Sequence, residues 1–224
     1  MMIKKRIYIL ALFLLFCGNG MAQYWDNQQW FAPSLKYSLS KELKLEFEQG
    51  FRFSEFSQIN TSYSDFGLSY KINKHFKIAG GYRHIYRGTW NDPDNIDDRF
   101  YVDGSTEDKN GDFKFGWRMR FQARFRDWHT SEMGWRPQLI WRNKVSVSYK
   151  GIDHITPYIN IELFTRLNDL GEKIYSQQIR YYLGADYEIS KEVEVGLFYM
   201  HQREFNCKNP EFNHVIGLNL NFSL

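Results

Sequence analysis

The chain has 224 residues, enough for one domain or at most two, and a low mean hydropathy of −0.56. Aromatic residues make up 18% of it, so Phe, Tyr and Trp dominate where a soluble core relies on Leu, Ile and Val. Losing Lys4, Lys5 and Arg6 with an N-terminal leader would leave the remaining cations equal in number to the 26 carboxylates, which argues against a generally basic nucleic-acid-binding protein.

That leader is the first element of the chain. Three cations, the apolar run from Ile7 to Cys17 and the small-x-small ending Gly20-Met21-Ala22 form a secretory signal peptide, with cleavage expected after Ala22. The run is too short to span a bilayer as a helix. Cys17 follows Phe16, where a lipoprotein signal wants a small residue, so lipidation is not expected. The exported domain is then residues 23–224, with Cys207 as its single cysteine and no intramolecular disulfide.

From there the chain alternates. The segment "AQYWDNQQW" is followed by "YSLSKELKL" at Tyr37, which recurs as "YKINKHFKI" at Tyr70 and "YEISKEVEV" at Tyr187. Each copy places a polar Ser/Asn-Lys turn between flanks of period two, the signature of a β-hairpin. Alternating strands are expected through Leu43–Phe53, Phe66–Ile72, Phe76–Tyr86, Asp97–Thr106, Phe113–Phe125, Leu139–Tyr149, Ile159–Leu163, Tyr181–Tyr187 and Ile216–Phe222. In "FKFGWRMRFQARFR", from Phe113 to Arg126, the odd positions are wholly apolar and the even ones mostly cationic. Only a strand sorts side chains so cleanly.

Tight turns at Ser40–Glu42, Asn73–His75, Glu107–Gly111 and Ser190–Glu192, with a modest one near Lys150–Ile155, alternate with longer polar loops at Gly88–Asp97, Asp127–Gly134, Leu167–Ser176 and Glu204–Asn213. That rhythm predicts an all-β fold, a transmembrane antiparallel up-and-down β-barrel with periplasmic turns and external loops. Eleven strands follow from residue 34 onward. An even count makes "AQYWDNQQW" a twelfth, with ten strands as the fallback. The expected location is the bacterial outer membrane; a soluble sandwich would want fewer and shorter strands and leaves the aromatic excess unexplained.

Several stretches covering most of residues 25–224 resemble domain-of-unknown-function family 2490, a group of bacterial outer-membrane barrels: "FGWRMRFQARF", "TPYINIELF", "QQIRYYLGADYEIS", "VGLFYMHQ" and "HVIGLNLNF". The resemblance implies a barrel, an outer-membrane address and no established activity. Leu224 ends the chain where such barrels more often end in Phe, although Phe222 is close by.

The polar face of the strands supplies the candidate site. Arg83, Arg118, Arg120, Arg124, Arg142, Lys144 and Arg180 are expected to pair across the lumen with Glu46, Glu48, Glu162, Asp186 and Glu188 as a structural ion network. The same cations would alternatively line a narrow anion-selective channel for small carboxylated or phosphorylated solutes. A third reading is a lipid hydrolase or acyltransferase, for which His84, and next His201, falls on the lipid-facing register near the outer rim; no Gly-x-Ser-x-Gly motif accompanies them, and the expectation is a non-enzyme. The four carboxylates of Asp92–Asp98 read as a solvated loop tip whose spacing matches no defined calcium loop. No cofactor or metal is expected. Trp25, Trp30, Trp90, Trp128 and Trp135 lie near strand ends, where an aromatic girdle would sit. The partners implied are outer-membrane lipid and the barrel-assembly machinery, reached through the C-terminal strand, with small anionic solutes under the channel reading and no nucleic acid.

Overall fold

A computed structural model describes residues 25–54, 58–89, 92–127, 135–168, 175–207 and 210–224; the expected signal peptide lies outside them. Among the described residues eleven strands form one closed barrel: β1 Trp25–Ser38, β2 Leu43–Ser54, β3 Gln58–Lys71, β4 Phe76–Thr89, β5 Asp92–Asn110, β6 Phe113–Arg126, β7 Gln138–Tyr149, β8 Ile155–Arg166, β9 Tyr175–Glu188, β10 Val193–Glu204 and β11 Phe212–Ser223. Consecutive strands are antiparallel, but β1 closes on β11 in parallel, from Trp25 opposite Phe212 to Lys36 opposite Ser223. The expected count of twelve is therefore corrected to eleven. "WDNQQW" is not a separate strand; it runs without a turn into the segment at residue 34, giving one strand of 14 residues. An odd number of antiparallel neighbours can close only through one parallel pair.

The recurring hairpin motif has a common physical cause. Ser40 Oγ accepts hydrogen bonds from the amides of Glu42 and Leu43, at 3.1 and 3.0 Å. Ser190 Oγ does the same for Glu192 and Val193, and Asn73 Oδ1 for His75 and Phe76. A short polar side chain thus satisfies two turn amides that the ladder leaves open. The β5–β6 turn is tighter than expected, with only Gly111 and Asp112 between strands. Gly111 takes φ 60°, a conformation that a side chain disfavours. Register shifts at Arg52/Phe53, Arg87/Thr89 and Phe164/Thr165 all fall toward the opposite, loop-bearing rim, where bulges help a barrel bend and close.

The two faces of the wall separate as the alternation dictates. Phe66, Val102, Phe121, Val145, Leu183, Leu197 and Ile216 point outward and are exposed, and stacked neighbours such as Phe121 and Trp141 join them. Strands of 12 residues at a tilt near 45° rise about 29 Å, sufficient for an apolar band of about 25 Å. An apolar cluster sealed from solvent lies inside the barrel: Phe198, Met200 and Val215, packed by Trp30, Tyr158 and Tyr182. Phe198 lies flat against Gly217, where a Cβ would come within 2.0 Å of its ring.

Candidate functional site

The lumen has a packed waist between two mouths, and arginine is the residue that builds it. Glu162 of β8 is 2% exposed and receives Arg118 at 2.7 Å and Arg142 through Nε at 3.1 Å and Nη2 at 2.9 and 3.0 Å. Lys144 and Arg180 are its direct cross-strand neighbours on either side, so four cations surround one carboxylate. Arg120 forms a two-point bridge to Asp103, both bonds 2.6 Å long, and its guanidinium lies over Tyr101 at 3.7 Å. Arg83 bonds Asp65 and reaches Glu48 at 3.3 Å, while Tyr101 and Tyr63 donate to Asp65 and Glu48. Geometry of this kind offsets the desolvation that isolated buried charges would suffer.

Toward the loop-bearing rim the lumen opens into a cup of about 400 Å³ lined by eight arginines and two glutamates, Glu204 and Glu211. Asp97, fully buried, serves four guanidiniums at once: Arg87 and Arg124 at 2.7 Å, Arg99 at 3.1 Å and Arg126 at 3.7 Å. Among the described residues Arg52 and Arg180 form no ion pair. Arg52 stacks over Trp30 at 4.0 Å, and Arg180 bonds Gln202 and faces Phe164. The Nε atoms of Arg52, Arg99 and Arg124 are buried and have no acceptor among the described residues. Setting aside Arg83 and Arg142, which pair at the waist, six arginines stand against Asp97, Glu204 and Glu211, and this excess makes the cup electropositive. A second cavity of about 300 Å³ sits at the turn-bearing mouth among Lys36, Lys44, Glu46 and Lys71.

Residues 27–213 match the family described as protein of unknown function, DUF2490. The chain belongs to that family. No curated protein matches this DUF2490 member by sequence. Among solved structures its fold is similar to the NanC porin, with a TM-score of 0.50 at 15% identity over 79% of this chain and 86% of that one. The translocator domain of the autotransporter NalP from Neisseria meningitidis gives 0.47 at 13% identity, covering 79% and 72%. The OmpT of Vibrio cholerae gives 0.41 at 14%, covering 74% and 52%.

The sequence-based list of lumen charges is only partly assembled in the DUF2490 barrel. Arg118, Arg142, Lys144 and Arg180 gather about Glu162, and Arg83 meets Glu48. Glu46 accepts from Ser69 instead of a cation. Asp186 lies near Glu194 and Gly196 on the turn side, and among the described residues neither it nor the exposed Glu188 forms an ion pair. The carboxylates that hold Arg83, Arg120 and Arg124 are instead Asp65, Asp103 and Asp97, missing from that list. Asp65 and Asp103 were detectable by parity, since each falls on the same alternate positions as the inward arginines. Asp97 was obscured because it stood at the boundary between the acidic Gly88–Asp97 loop and the strand expected from Asp97 to Thr106. Asp92–Asp98 is the start of β5; Asp97 and Asp98 are buried, and the side chains of residues 92–94 lie outside the described ones. Trp30 is also corrected from girdle to lumen. The side chains of Trp25, Trp90 and Trp128 are outside the described residues, and Trp135 is exposed beside the loop-bearing rim.

Proposed function

We propose that this protein is an exported outer-membrane barrel that does not conduct, its waist sealed by the arginine–carboxylate network and its cup presented at the cell surface to bind small anions. The observation carrying this reading is the contrast between the two levels of the lumen. At the waist the carboxylates Glu162, Asp103, Asp65 and Glu48 stand against Arg118, Arg142, Lys144, Arg120 and Arg83, close to balance, and Met200, Val215 and Phe198 form an apolar cluster in the same lumen. In the cup the cations outnumber their partners. Saturated charges support a structural seal, whereas unsaturated guanidiniums favour ligands carrying carboxylate or phosphate groups. Lipid against the outward aromatic band and the assembly machinery at β11 are the partners this reading requires.

Citrate and pyrophosphate serve as probes. Calorimetric titration of the detergent-folded protein is expected to show saturable binding that weakens with salt. Arg52→Gln and Arg180→Gln should each weaken it about tenfold or more, since a hydrogen bond to a charged group contributes about 1.5–3 kcal/mol. Equal, non-saturable uptake by parent and variants would dismiss the cup as a binding site.

A further inference from the structure

The outer wall carries a second constellation, unrelated to the lumen. Four polar residues occupy one row across β2, β3, β4 and β5: Gln49 is paired with Ser64, Ser64 with His84, and His84 with Asp98. All four share the parity of the exposed residues Phe47, Phe66, Ile78 and Phe100 on their own strands, so they face lipid. The row lies on the loop side of the aromatic level formed by Phe47, Phe66, Tyr82 and Phe100, whose rings touch in pairs at 4.9 and 5.0 Å. On each of the four strands it therefore lies in the loop-bearing half of the wall, toward the outer leaflet.

Within the row the side chains are ordered. His84 Nδ1 is 2.8 Å from Asp98 Oδ1, and the Asp98 side chain is 4% exposed, a carboxylate sealed on the outside of the barrel. Tyr82 donates its hydroxyl to the same oxygen and helps hold it. Asp98 thus retains the proton on Nδ1, which leaves Nε2 as the basic nitrogen on a half-exposed ring. Ser64 stands directly across from His84, where side chains of paired residues are about 5 Å apart at Cβ. Its Oγ donates to Gln49 Oε1 at 2.6 Å, so the Gln49 side-chain amide reaches the serine, and a half-turn of that amide brings its nitrogen to the same place. Turnward of Asp98 on the same face, an apolar trough of about 520 Å³ runs between Phe100, Val102, Phe121, Ala123 and Leu139, with the small side chain of Ala123 at its floor.

We infer that Ser64, His84 and Asp98 form a serine-hydrolase site for acyl esters of outer-leaflet lipids, with Gln49 as the oxyanion donor and the trough as the seat of the acyl chain. Ser64 Oγ attacks the ester carbonyl carbon while its proton passes to His84 Nε2. The carbonyl π electrons move to oxygen, and the Gln49 amide stabilises the charge. Collapse breaks the bond to the alcohol, which takes the proton from Nε2 and leaves an acyl-Ser64. Water then attacks that ester with His84 again as base, releasing the fatty acid and restoring the serine. Asp98 is a positioning residue throughout.

The experiment uses purified protein folded into two kinds of vesicle, one of phosphatidylethanolamine and phosphatidylglycerol, the other also carrying lipopolysaccharide. Free fatty acid is followed by mass spectrometry, and a long-chain sulfonyl fluoride probes the serine. The expected result is release in at least one vesicle type, with the probe attached to Ser64. Ser64→Ala and His84→Ala should each reduce release by about 10²-fold or more while the proteins still fold, as shown by their heat-dependent gel migration. Asp98→Asn should displace the pH profile of kcat/KM, and Gln49→Leu should lower kcat more than KM. Ser62→Ala, one outward position away, should leave the rate unchanged. The vesicle type that responds identifies phospholipid or lipopolysaccharide as the ester source. No release from either, or release indifferent to Ser64 and His84, would overturn the assignment.

Discussion

Replacing Glu162 by Gln keeps its volume and removes only its charge, which makes it the sharpest perturbation of the waist. The carboxylate is 2% exposed, receives four hydrogen bonds from Arg118 and Arg142, and lies between Lys144 and Arg180. Without it, cations packed into a confined space lose their shared counter-charge. Breaking one side of such a buried pair costs about 3–5 kcal/mol, or about a hundredfold to a few thousandfold in the folding equilibrium. The assay is urea unfolding in detergent micelles, followed by tryptophan fluorescence and by the gel shift of the folded barrel. Glu188→Gln, at an exposed position without an ion pair among the described residues, is the control and should be silent. A quadruple variant, Glu162→Leu with Arg118→Met, Arg142→Met and Lys144→Met, should recover much of the loss, because an apolar filling of similar volume replaces the buried ion cluster at little cost while Arg180 keeps its bond to Gln202. Glu162→Gln as stable as the parent would refute the view that these charges hold the waist together.

Two smaller perturbations address the scaffold. Ser190→Ala removes the acceptor for the amides of Glu192 and Val193, and each net hydrogen bond contributes about 0.5–1.5 kcal/mol, so a modest fall in the urea midpoint is expected. Gly217→Leu forces a side chain into the ring of Phe198, and the overpacking should cost about 1–3 kcal/mol in the same titration.

The wall of this protein was legible because each residue votes independently for a face. Phe113 to Arg126 alternates without exception, and β6 begins and ends at those two residues. The Ser-Lys and Asn-Lys turns were equally readable, because the hydrogen bonds that make them are local. Strand number was not local. Whether "WDNQQW" turns back or runs on depends on its pairing with β11 nearly two hundred residues away, and an assumed even count decided wrongly. The ion network shows the same limit. Parity identified which charges face inward, but Arg120 chooses Asp103 rather than Glu162 through register between strands. The outward row was the least visible part. His84 stood out alone, while Ser64 and Asp98 lie 20 and 14 positions away and meet it only when β3, β4 and β5 pair.

The claim that the waist is closed is tested most directly by planar-bilayer recording of the folded protein. The Arg118–Glu162–Arg142 and Arg120–Asp103 contacts, with Met200 and Val215 fully buried beside them, predict no steady current across the usual voltage range. A large, stable, anion-selective conductance from the parent protein, weakened by Arg120→Ala and Arg124→Ala while folding is unchanged, would contradict it and make the lumen a pore.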